Sequence, residues 1–113
     1  MDVIAYREVD AFTTKDGSTI RELMRAANQS LAEATLAPGQ ATERHYHARS
    51  EELYSFLDGG GVLEIDGQRR EVGAGDTVLI PPGARHTISA GATGARFLCC
   101  CAPPYEHDDT FFD

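Results

Sequence analysis

The chain has 113 residues, 42% hydrophobic and 25% charged, which suits one globular domain over 1-113 and argues against disorder. Its formal net charge is -8, which argues against nucleic acid or an anionic membrane surface as a partner, since both select basic surface.

The first residues, MDVIAYREVD, carry no basic start and no long apolar run. They suggest neither a secretory leader nor a spanning helix, and the expected location is the cytoplasm. Residues 1-30 read as N-terminal strands, with Asp16-Gly17 turning between two of them. The one helix candidate, Ile20 to Ala27, has good helix formers but no apolar stripe, so strand or loop is the reading. An alternating run from Leu31 to Leu36 ends at Pro38-Gly39.

From there turns come often. Gly59-Gly60-Gly61 reads as the end of a strand. Asp66-Gly67, between Val62 to Ile65 and Gln68 to Val72, is a strong two-residue hairpin signal. Gly73-Ala74-Gly75-Asp76 makes another turn, and Thr77 to Ile80 is closed by Pro81-Pro82-Gly83. His86 to Ser89 resumes, Gly91 to Gly94 reads as a break, and Arg96 to Cys101 is apolar until Pro103-Pro104. About eight short, closely spaced strands predict an all-β sandwich or barrel. Cys99, Cys100 and Cys101 are consecutive, so they offer no disulfide framework and read as packing residues of a buried, reduced strand. The acidic tail, 103-113, holds Phe111 and Phe112, which predict that it docks on the barrel or on a second subunit.

Two stretches carry the chemistry. In GQATERHYHARSEELYSFLDG, His45 and His47 are two residues apart, so on a strand both rings point the same way. Glu52 has the opposite parity and joins them only if the chain turns at Ala48-Arg49-Ser50. In GDTVLIPPGARH, Pro81 and Gly83 suit a turn that delivers His86. An isolated HxH, or a lone histidine at a strand end, is ordinary surface or core chemistry; the two stretches together are not.

Together they resemble the cupin superfamily, with its motifs G(X)5HXH(X)3-4E(X)6G and G(X)5PXG(X)2H(X)3N. Gly39, His45, His47, Glu52 and Gly59 fill the first, and Gly75, Pro81, Gly83 and His86 fill the second up to its histidine. Glu51 meets the looser spacing, but only Glu52 leaves six residues before Gly59. Ala90 departs from the pattern, standing where the motif has asparagine. The resemblance covers residues 31 to 101. It implies a cupin-type jelly-roll β-barrel, also called a double-stranded β-helix, with one divalent transition metal held by His45, His47, Glu52 and His86. Three imidazoles and a carboxylate suit iron, manganese, nickel, copper or zinc, and the ligand set alone does not choose among them. Four protein ligands leave two octahedral positions open.

Tyr54 and Phe56 share the face of Glu52, and Tyr54 is a candidate acid or hydrogen-bond donor. Glu43 has the parity of His45 and would point inward as a candidate base if the strand has already begun there. Arg85 is a candidate anion contact at the rim. His107, Asp108 and Asp109 read as a charged tail rather than a metal cluster. The Ile20 to Leu23 segment resembles strands exchanged in cupin homodimers. The superfamily offers three functions for a small-molecule substrate: a dioxygenase-like oxidoreductase, the leading expectation; a lyase or isomerase on a sugar or small acid; and a non-catalytic binding module.

Overall fold

A computed structural model describes residues 1–113, and it is almost entirely β. The strands are β1 (Phe12–Thr13), β2 (Thr19–Arg25), β3 (Ser30–Leu36), β4 (Glu51–Ile65), β5 (Gln68–Gly73), β6 (Thr77–Ile80) and β7 (His86–Ala102), with two short 3-10 turns at Tyr6–Glu8 and His107–Asp109. All pairings are antiparallel. The order is β1-β2-β3-β7-β4-β5, and β6 pairs with β4. β7 pairs with β4 from Ala102 back to His86, and its second half also pairs with β3. Both long strands therefore serve the two faces of a jelly-roll barrel.

Two glycine stretches read as strand breaks in the sequence are in-strand irregularities instead. The β4/β7 register shifts between Phe56 and Asp58 and again between Gly59 and Gly61, yet pairing continues on either side. Gly59 takes φ +65°, and a Cβ there would stand 2.1 Å from the Gly94 carbonyl oxygen. A Cβ on Gly61 would stand 1.9 Å from the Ser89 carbonyl oxygen. The glycines let two backbones approach too closely for any side chain, and the bulges bend the strands rather than end them. Four expected short strands thus merge into β4 and β7.

Other local signals act as the residue types dictate. Asp66 and Gly67 both take positive φ, 47° and 85°, as a two-residue hairpin requires. The segment without an apolar stripe is strand β2, bulged between Glu22 and Met24. Ala90 lies inside β7 opposite Gly61, its side chain in the core, so no turn forms where the motif has asparagine.

Alternation along β4 and β7 builds the interior. Tyr54, Phe56 and Leu63 point inward from β4; Ile88, Phe97 and Cys99 point inward from β7. The rings of Phe56 and Phe97 lie 4.9 Å apart. Such a pair contributes about 0.5–1.5 kcal/mol beyond the area it buries. Cys99 and Cys101 face inward and Cys100 outward, so the parity that sequence leaves open falls to the odd-numbered pair.

Candidate metal centre

His45 and His47 lie before β4, on a short extended segment. The segment is tied to the start of β7 by reciprocal bonds between the main chains of His45 and His86, 3.1 and 2.8 Å. Both rings are buried. The bend expected at Ala48-Arg49-Ser50 is present and sets Glu52 facing inward on β4. Glu52 pairs with Ile80, and the turn after Ile80 returns the chain to His86. The amide of Gly83 in that turn donates to the His47 carbonyl at 2.7 Å. Two segments far apart in sequence are thus tied together by main-chain bonds.

The three imidazoles can each offer a ring nitrogen within 4.8 Å of the others. Their outer nitrogens are already committed. Nδ1 of His45 lies 2.7 Å from the Glu43 carbonyl, Nδ1 of His47 3.1 Å from the Asp109 carbonyl, and Nδ1 of His86 2.9 Å from the Ala84 carbonyl. A carbonyl only accepts, so each Nδ1 carries the proton and each Nε2 presents a lone pair inward. Glu52 Oε1 lies 3.4 Å from Nε2 of His47 and 3.5 Å from Nε2 of His86.

This arrangement fits a cation. Glu52 Oε1 and His86 Nε2 are fully buried without a hydrogen-bond partner, a costly state for acceptors facing acceptors. A divalent metal would satisfy all of them at once, and a buried imidazole–carboxylate set with carbonyl-oriented rings is how such ions are held. The shifts within the cluster follow its charges. Burial lowers His47, but the nearby Glu52 carboxylate favours its protonated form more strongly and leaves it above its ordinary value. Burial, then His86, holds His45 below. Burial would raise Glu52, but His47 and His86 outweigh it and bring it down to about 2.

The cluster opens on a cavity of about 50 Å³, enough for a few water-sized groups. Tyr54 lines it, and burial holds its phenol well above the usual range, so it stays a proton donor. Phe56 lies deeper, in the apolar core. Cys101 also reaches the cavity and donates from Sγ to Glu52 Oε2 at 3.3 Å. None of the 19 lining residues is lysine or arginine, whereas Asp16, Glu22 and Glu52 are acids.

Glu43 does not reach the interior. No regular strand begins there, and its side chain is exposed while its carbonyl orients His45. Arg85 does not line the cavity either. Its guanidinium lies 3.7 Å over the Tyr46 ring and pairs with Asp113 at 2.8 Å. The tail docks on its own barrel: Phe111 bridges Tyr46, Tyr105 and Thr110 line the cavity, and Arg25 holds Glu106.

Two residues were missed as site residues. Asp16 reads as a turn aspartate, yet its Oδ2 lies 3.5 Å from His45 Nε2. Asp109 reads as tail charge, yet it is buried and accepts from the amides of Ala48, Arg49 and Ser50 at 3.0 to 3.2 Å. Position in a turn or an acidic tail hides both, because the contacts are made by tertiary packing.

Comparison with known proteins places these features in context. A family model described as a cupin domain matches residues 32–101. The uncharacterized protein MJ1618 of Methanocaldococcus jannaschii is 43% identical over 111 residues, 93% of this chain and 89% of that one. The dimethylsulfoniopropionate lyase DddW of Ruegeria pomeroyi is 39% identical over 64 residues, 57% of this chain but only 41% of the lyase. The solved structure of the polyketide cyclase RemF from Streptomyces resistomycificus superposes with a TM-score of 0.76 at 27% identity, covering 90% of this chain and 79% of that one.

Proposed function

The chain belongs to the cupin family, and on that premise we propose that it is a metal-dependent enzyme performing elimination or isomerisation on a small neutral or cationic molecule. The observation that carries this reading is the set of inward-facing acceptors, three Nε2 atoms and Glu52 Oε1, beside a cavity whose wall includes His45, His47 and Glu52 but no lysine or arginine. His45, His47, His86 and Glu52 would hold the ion. Bound there, the ion supplies a Lewis acid for an oxygen of the substrate. Tyr54, kept protonated by burial, donates a hydrogen bond to oxygen on which charge develops. Apolar side chains of the wall, among them Ile20, Ala34 and Phe97, limit the water beside that exchange. An anionic substrate would meet three acids and no side-chain cation, which favours uncharged or cationic groups.

The partial likeness to a lyase supports non-redox chemistry over the dioxygenase expected from family breadth. Turnover of candidate substrates by zinc-loaded protein without oxygen supports the proposal. Turnover that requires iron and consumes oxygen restores the dioxygenase reading, and binding without turnover marks a binding module.

We also propose that the protein works in the cytoplasm as a homodimer. Its three cysteines are free, and no helix is long and apolar enough to cross a membrane. Leu53 and Leu79 pair across β4 and β6 and remain 41% and 52% exposed, a candidate contact between copies.

A further inference from the structure

The turn between β1 and β2 is built around the Asp16 carboxylate. Its Oδ1 accepts from the Thr14 hydroxyl at 2.5 Å, the Ser18 amide at 2.9 Å and the Ser18 hydroxyl at 2.6 Å. The Asp16 carbonyl in turn accepts from the Glu43 amide at 2.7 Å, tying this turn to the segment that carries His45. One oxygen is therefore saturated and the carboxylate plane is fixed. The other, Oδ2, is directed at His45 Nε2, 3.5 Å away, and the carboxylate is only 14% exposed.

That separation repeats the ones within the cluster, where Glu52 Oε1 stands 3.4 and 3.5 Å from His47 and His86. His45 Nε2 cannot donate to Oδ2 while its proton is held on Nδ1 by the Glu43 carbonyl. A lone pair thus faces a carboxylate oxygen on this side of the triad as well. The unpartnered Glu52 Oε1 and His86 Nε2, both fully buried, mark the triad as lacking a cation; Asp16 stands beside His45 as Glu52 stands beside His47 and His86.

We propose that Asp16 is a fifth protein ligand of this centre, its Oδ2 joining three imidazoles and the Glu52 carboxylate. The inference rests on the metal-centre reading above. Its consequence is chemical. A fifth protein donor would leave less of a bound ion open to outside groups, which would suit polarisation of one substrate oxygen better than joint binding of substrate and dioxygen. The second carboxylate also offsets the charge of a divalent ion, in keeping with a neutral or cationic substrate.

The test compares wild type with Asp16→Asn. Asparagine keeps an oxygen for Thr14 and Ser18 and turns an amide toward His45 Nε2, where it can donate. A merely structural role predicts a less stable protein with unchanged metal affinity. A ligand role predicts the reverse: an apoprotein melting as high as wild type or higher, with zinc affinity weakened at least about tenfold. Cobalt(II) absorption of the loaded variant should also differ from wild type. Equal zinc affinity and equal cobalt spectra overturn the inference while leaving the centre intact. Failure of wild type to bind any divalent metal overturns both. Should the variant not fold, a crystal structure of zinc-loaded wild type decides: Oδ2 bonded to zinc supports the assignment, and Oδ2 outside bonding distance overturns it.

Discussion

The Asp109 carbonyl lies 3.1 Å from His47 Nδ1, and the same residue's carboxylate gathers the amides of Ala48, Arg49 and Ser50. One residue near the end of the chain therefore orients a candidate ligand ring and holds the bend that separates it from Glu52. Asp109→Ala leaves three amides of that bend without their acceptor. The expected cost is roughly 3 kcal/mol, since each lost partner of a buried donor costs about 1–3 kcal/mol and water recovers part. Thermal melts should show the loss, and metal titration should show weaker binding. An unchanged melting temperature would mean that the bend holds itself.

Gly61 tests the bulged pairing of β4 with β7. Alanine there would place Cβ 1.9 Å from the Ser89 carbonyl oxygen, against backbone that cannot rotate away. Gly61→Ala is expected to destabilise by about 3 kcal/mol or more, because overpacking a fixed backbone costs at least about 1–3 kcal/mol. Alanine at Gly67, which has open space around it, is strained only by its positive φ and should cost less. Equal melting of the two variants would contradict the close approach.

The thiols give a prediction in pH. Burial, with Glu52 nearby, holds Cys99 and Cys101 well above the usual thiol range. Native protein should therefore react with iodoacetamide slowly at both positions even at pH 9, and fastest at the half-exposed Cys100. An acid raised in the folded state contributes stability below its unfolded pKa and loses it as pH rises. Stability should accordingly fall above pH 9, the ordinary thiol value. Rapid labelling of all three cysteines at pH 7 would place them elsewhere.

The outward leucines bear on assembly. Leu53→Asp with Leu79→Asp puts charge on the exposed apolar pair without touching the core. Light scattering should report a dimer for wild type and a monomer for the double variant, with metal binding retained. A wild-type monomer would rule the interface out.

Much of this was legible in the residues, for reasons that differ by element. The hairpin at Asp66-Gly67 is a local matter of positive φ, so the dipeptide suffices. His45, His47, Glu52 and His86 were legible through spacing and motif resemblance, and the fold brings the three imidazoles together with Glu52 beside two of them. The glycine bulges were not, because a glycine that ends a strand and one that admits a neighbouring backbone look alike until Gly94 or Ser89 is in place. Glu43 was placed by parity along a strand that does not exist there, and the exposed side chain follows. Asp16 and Asp109 escaped because their partners lie tens of residues away and only the closed barrel supplies them.

The most direct measurement is metal content. Apoprotein should be reloaded with zinc or iron, freed of excess ion and analysed for metal, beside His47→Ala and Glu52→Gln treated alike. The account predicts about one ion per wild-type chain and a large loss in both variants, since removing a ligand lowers affinity severely. Wild type that retains no divalent metal after reloading, or variants that retain as much as wild type, would contradict it.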